Sequence, residues 1–153
     1  MSGSGALTQT VEISLTIPDN AAYTALTTLQ RLGIAVGALR RADLWRFELD
    51  ERDDRFVDQI RTLETIYNPN KHELLVRPDE LPGPGEVWVD EPGHNVLERP
   101  VRLSGRVLPG VRRAARYVSW HLRAPDGSPA SAEVVRLALE SLLCNPAFQK
   151  ATI

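Results

Sequence analysis

A chain of 153 residues with 42% hydrophobic and 25% charged side chains has the composition of a globular protein and the length to bury roughly 70% of the surface its unfolded form exposes. No apolar run approaches the ~20 residues of a membrane-spanning helix, and a formal net charge of −2 provides none of the positive field of a dedicated nucleic-acid binder. The single cysteine, Cys144, excludes an intrachain disulfide, and its setting in Leu142-Leu143-Cys144 favours a buried structural thiol over a nucleophile.

Residues 1–10 are rich in Gly, Ser and Thr and lack both a basic segment and an apolar one. They read as a disordered tail rather than a signal peptide, and a cytoplasmic location is expected. Val11, Ile13, Leu15 and Ile17 then alternate with Glu12, Ser14 and Thr16, the period of a strand with one buried face. Pro18-Asp19-Asn20 stops it, and Asp19 is placed to cap a helix over about 20–32 that ends at Gly33. An irregular strand around Val36–Arg40 and a second strand carrying Trp45, Phe47 and Leu49 are expected to form a pair. Asp53 or Asp54 can open the next helix, with Phe56, Val57, Ile60, Leu63 and Tyr67 at helical spacing, before a short strand over Glu73–Arg77. The order is βαββαβ, a ferredoxin-like arrangement.

Pro78 to Gly85 holds three prolines and two glycines and reads as a linker. Beyond it, Glu86–Asp90 and Arg116–Leu122 read as strands, Ala130–Leu143 as a helix and Phe148–Ile153 as a last strand. Pro100, Gly105 and Pro109 argue against a long helix over 94–110, while spacing favours a short one there, with Pro100 at its first position.

The two stretches echo one another. Arg40-Arg41-Ala42-Asp43-Leu44-Trp45-Arg46-Phe47-Glu48-Leu49 returns as Arg113-Ala114-Ala115-Arg116-Tyr117-Val118-Ser119-Trp120-His121-Leu122, 73 residues later at the shared leucine. Each copy is followed by an apolar stretch closing on Asn68-Pro69 or Asn145-Pro146, 77 residues apart. The expected architecture is α+β: two βαββαβ half-domains, 11–77 and 86–153, packed about a pseudo-two-fold, with antiparallel sheets and helices on one face. Trp45, Phe47, Leu49 and Val118, Trp120, Leu122 would face the helices. Leu44, Arg46, Glu48 and Tyr117, Ser119, His121 would line an opposite face left for the other half or a partner to cover.

Leu39-Arg40-Arg41-Ala42-Asp43-Leu44-Trp45-Arg46-Phe47-Glu48-Leu49 with Asn68-Pro69 resembles the Val-Arg-x-Gly-Lys-Tyr-x-Glu-Leu strand and Leu-Leu-x-Asn-Pro helix end of PurS, the small subunit of bacterial phosphoribosylformylglycinamidine synthase. The second copy is similar through Arg116-Tyr117 and Leu142-Leu143-Cys144-Asn145-Pro146, and Val96-Leu97-Glu98-Arg99-Pro100 resembles the family's Val-Leu-Asp-Pro loop. Ala42 and Ala115 replace the family glycine, and Asp43 replaces its lysine. The resemblance implies a non-catalytic protein that self-associates and bridges a synthetase and a glutaminase subunit, so that ammonia passes between them without escaping. A diverged small-ligand-binding or regulatory module is the alternative.

The chemical inventory agrees. His72, His94 and His121 lack metal-ligand spacing, and no Gly-x-Ser-x-Gly, P-loop or Gly-x-Gly-x-x-Gly occurs. No catalytic residue, cofactor or metal is therefore expected, nor a nucleic-acid or membrane partner. Arg40, Arg41, Arg46, Arg113 and Arg116 flank the matching strands, and guanidinium forks suit carboxylates on another protein. With Tyr117 they are the expected partner-binding residues.

Overall fold

The alternation of Val11 and Ile13 with Glu12 and Ser14 becomes strand β1, Leu7–Leu15, in the computed structural model, which describes residues 7–78, 81–90, 96–143 and 150–152. The strand starts four residues inside the expected tail, because Leu7 to Thr10 continue the ladder opposite Leu49 to Arg46. The Asp19 carboxylate accepts from the amides of Ala21 and Ala22 at 3.0 and 3.2 Å and caps α1, Asn20–Arg31. Gly33, at φ +81°, turns the chain out of it in the left-handed conformation that glycine adopts without strain.

Strand β2, Ala38–Leu49, is one continuous strand and not the expected pair. Arg40-Arg41-Ala42-Asp43 holds neither glycine nor proline, and the alternation runs through it. Ala42 and Leu44 bury on one face, Phe47 and Leu49 on the other. Helix α2 is a single short piece, Phe56–Ile60. Asp53 accepts from the Arg55 amide at 2.9 Å in the turn ahead of it, and hydrogen-bonded turns carry the chain on to Tyr67. Strands β3, His72–Arg77, and β4, Glu86–Asp90, follow where expected.

The expected short helix within 94–110 is replaced by strand β5, Val96–Glu98, and a hairpin of β6, Arg102–Leu103, and β7, Arg106–Val107. Ser104 and Gly105 take positive φ between the last two, which a helix cannot contain. Strand β8, Val111–Arg123, is longer than its apolar pattern suggests because β5 pairs with its first part and β4 with its last. Helix α3, Ala132–Ala138, is capped by Ser131 and runs into a π-helical turn, Leu139–Leu143; β9, Lys150–Thr152, is the final strand. His94, Cys144, Asn145-Pro146 and the ends of the expected last strand lie outside the described residues.

The fold is α+β with antiparallel strand pairing and few helices, compatible with a ferredoxin-like arrangement. One sheet runs β3-β1-β2-β8-β4-β9, with β5 also beside β8. Antiparallel partners share a face, so Phe47 opposite Ala114, Leu39 opposite Leu122 and Val87 opposite Trp120 define one apolar side. Two clusters fill it. Val11, Ile13, Phe47 and Leu49 pack with Phe56, Ile60, Leu63 and Ile66, and with Val101, Leu108, Val111 and Ala114. Ala25, Leu29 and Val36 pack instead with Val87, Val89 and Leu122 and with Val135 and Ala138 of α3. Each valine, leucine, isoleucine or phenylalanine among them contributes roughly 1.5–3 kcal/mol before ordering entropy. Helix α1 therefore covers strands from beyond residue 85, while residues 101–108 cover strands from before residue 78. Neither cluster is built from one half alone.

Candidate functional site

The centre of the sheet's other side is also buried, with no described helix above it. Thr10, Glu12 and Ser14 from β1, Ala42 and Leu44 from β2, Glu86 and Trp88 from β4, and Ser119 from β8 are all buried. On this side the carboxylates of Glu12 and Glu86 come within 4.8 Å of each other, so it is the concave face of the sheet. Glu12 and Glu86 lie on strands separated by β2 and β8, about 14 Å apart at ~4.8 Å per strand, and their side chains lean inward across the trough to a shared partner. Arg77, at the end of β3, places Nη1 2.9 Å from Glu12 Oε1 and 2.9 Å from Glu86 Oε2, and donates from Nη2 to Glu86 Oε1 at 2.8 Å.

Three further groups donate to Glu86. The Ser119 hydroxyl does so at 2.6 Å, the Trp88 indole at 2.9 Å and the Gly83 amide at 2.9 Å. Gly85, at φ +74°, lets the chain just ahead of Glu86 run close against β8: a Cβ there would stand 2.5 Å from the Leu122 carbonyl oxygen. Burial alone would raise the Glu86 carboxyl, but the hydrogen bonds from Arg77, Ser119, Gly83 and Trp88 outweigh it and hold the group down at about 2. Burial likewise opposes ionisation of Glu12, yet its hydrogen bond to His121 and the charges of His121, Arg40 and Arg77 leave it below the ordinary carboxylate value. His121 Nε2 lies 2.9 Å from Glu12 Oε1 and 3.4 Å from Glu86 Oε2.

Three chemistries can be weighed against this geometry. A serine–histidine–acid relay needs the acid on Nδ1 and the hydroxyl on Nε2. Here Ser119 at 3.2 Å and Glu12 at 2.9 Å meet the same Nε2, and Ser119 is fully buried. A metal centre is suggested by the ligand atoms of Glu12, Glu86 and His121, which lie within 4.8 Å of one another. However, the Arg77 guanidinium sits between the same two carboxylate oxygens and supplies the positive charge a cation would bring. The third possibility, a buried charge clamp joining β1, β3, β4 and β8, uses every contact. A groove of about 510 Å3 lies away from it on the helix side, lined by Thr24, Thr28, Trp120 and Leu142 among others.

Strand alternation divides the expected partner-binding residues between the two sides. Arg41 and Arg116 are on the helix side. Arg41 pairs with Asp19 at 3.3 Å and lies 6.0 Å from the Trp120 ring; Arg116 is half-buried opposite Trp45. Arg40, Arg46, Arg113 and Tyr117 are on the concave side. Arg40 joins the clamp through Glu12 at 3.2 Å, and Tyr117 faces Leu44 with its ring 6.1 Å from Trp88. Arg46, opposite Ala115, and Arg113, opposite Glu48, are diagonal neighbours, and the structure brings these two together. Sequence reasoning missed Glu12, Arg77, Glu86 and Trp88, and placed Ser119 and His121 only on a face left for the other half or a partner to cover. The available signal was an acid set directly beside apolar residues in each of two strands, Val11-Glu12-Ile13 and Glu86-Val87-Trp88.

Among the described residues no helix is long and apolar enough to cross a membrane. No protein-family model matches the chain, and no curated protein matches it.

Proposed function

We propose that this chain is a PurS-like, non-catalytic subunit that bridges the synthetase and glutaminase components of phosphoribosylformylglycinamidine synthase in purine biosynthesis. The observation that carries the reading is the register of β2 against β8. Leu44 lies opposite Tyr117, and those residues are 73 apart, the same offset that aligns the two copies of the strand motif. When two equivalent strands pair antiparallel about a two-fold, equivalent residues meet at the axis. The strand order β3-β1-β2-β8-β4-β9 reads the same outward from that point if β4, β8 and β9 are the counterparts of β1, β2 and β3. A fused pair of PurS-like halves would produce both features. The clamp adds support, since its ionisable groups are spent on one another across the two halves.

Light scattering after size-exclusion chromatography of this chain with the synthetase and glutaminase subunits of its own organism, in magnesium, ADP and glutamine, tests the reading. Co-elution as one larger complex, weakened by Arg113→Glu, is the expected result; a chain that elutes alone overturns it. A second reading, a ligand-binding or regulatory module, is favoured by the π-helical turn, a feature that recurs at functional sites. Leu142 and Leu143 of that turn line the 510 Å3 groove with Trp120.

A further inference from the structure

We infer that the turn opening at Asn68-Pro69 is a pH-operated latch on the start of β3, released when His72 takes up a proton. Asn68 and His72 bond in both directions. The His72 amide donates to the Asn68 carbonyl at 2.8 Å, and the Asn68 amide donates to His72 Nδ1 at 2.9 Å. Pro69 stands at the second position of the turn, where its fixed φ is favoured. The Asn68 carbonyl also accepts from the Lys71 amide at 3.0 Å, and its Oδ1 accepts from the Asn70 amide at 2.9 Å. A bond of 2.9 Å from the Thr16 amide to the Lys71 carbonyl ties the turn to the chain just beyond β1.

A backbone amide can only donate. Nδ1 therefore presents a lone pair to it, which fixes the ring as the neutral tautomer with its proton on Nε2. An imidazolium carries a proton on both nitrogens. It would set Nδ1–H against the Asn68 N–H, two donors 2.9 Å apart with no acceptor between them. The ring must then swing away and leave Tyr67, whose ring centroid lies 6.3 Å from its own. The surroundings act in the same sense. Partial burial and the charge of Lys71 in the same turn disfavour the cation, and Asp43 on β2 opposes them without prevailing, so His72 is held below its ordinary 6.5. Strand β1 faces the ring with Leu15, which carries no charge. The latch is thus closed above pH 6.5 and lost as pH falls through the lower folded value. It holds the start of an edge strand that pairs only with β1 and whose far end carries Arg77 into the charge clamp. The second copy of the motif has Gln149 where the first has His72, which leaves it no titrating group at that place.

NMR spectra of the isotope-labelled chain from about pH 8 to about pH 5 cover the range in which a histidine changes charge and stay above the acid range of Glu86. The Asn68 amide and the His72 ring are expected to titrate together, with one midpoint below 6.5. Hydrogen-exchange protection of that amide, corrected for the intrinsic pH dependence of exchange, should fall roughly fivefold, the worth of one hydrogen bond. His72→Asn sets an Oδ1 acceptor close to where Nδ1 stands and takes up no proton, so the amide stays protected across the whole range. His72→Phe keeps a ring beside Tyr67 and offers no acceptor, so the amide is unprotected at every pH. An Asn68 amide that does not respond while His72 titrates overturns the inference, as does a pH response of that amide that survives in His72→Asn. The first of these outcomes is read on the wild-type chain and does not depend on either variant folding. Because no other subunit is present, failure here leaves the bridging role untouched.

Discussion

The centre of the one sheet is buried on both sides, by opposite chemistry. On the helix side Phe47, Leu29, Ile60 and their neighbours are buried by apolar contact, which is non-directional and adds up piece by piece. On the concave side Glu12, Glu86 and Ser119 are buried just as deeply but through hydrogen bonds that each depend on the others. The lesson is that the first side should lose stability gradually under substitution and the second abruptly, since removing one partner leaves a charge stranded.

The sharpest way to break this contrast is Arg77→Met. It leaves two buried carboxylates without their shared cation and is expected to cost about 3–5 kcal/mol in urea unfolding. Adding Glu86→Gln should return part of that loss; a strictly additive double variant would mean the clamp is not a unit. Acid should act on the buried carboxylates of the concave side. Glu86 has an ordinary value of 4.5 and is held at about 2 in the folded chain. Its contribution, on the order of 3 kcal/mol, is thus fully present above pH 4.5 and lost as pH falls towards 2. Thermal melts across that window should show a slope that Glu86→Gln flattens.

On the helix side, Leu29→Ala should cost about 3 kcal/mol with no change in the acid profile. Asp19→Ala, which removes the α1 cap and the Arg41 pair, should cost about 1 kcal/mol. Smallest of all, Arg113→Glu faces Glu48 across a 3.9 Å exposed contact and should move stability by no more than about 1 kcal/mol. That variant is therefore suited to reading partner binding without a folding change.

How much of this was legible beforehand differs between the same two regions. Local chemistry gave α1 its Asp19 cap and Gly33 exit, and period-two alternation placed β1, β3 and β4 and identified Phe47, Leu49 and Leu122 as core. Alternation says which residues share a face, and not whether both faces are buried, so the polar run at 40–43 looked like a break in β2 when it was the strand crossing from one environment to the other. The 96–107 excursion was misread because its strands are two or three residues long, too short for any period. The clamp was invisible for a different reason. Glu12 meets Arg77 across 65 residues and His121 across 109, and nothing local to any of the three announces the others.

The exchange of covering segments between the two halves of the sheet also has a consequence for how the chain is made. As residues emerge in order during synthesis, the first apolar cluster lacks Ala114 and the second lacks Leu143 until well over two thirds of the chain exists. The strands before residue 78 therefore wait, half covered, for a lid that has yet to be translated, and α1 waits for a floor. A ribosome paused at the Pro/Gly segment would hold a fragment with α1 unpacked and the β2 edge bare, the kind of species that chaperones bind.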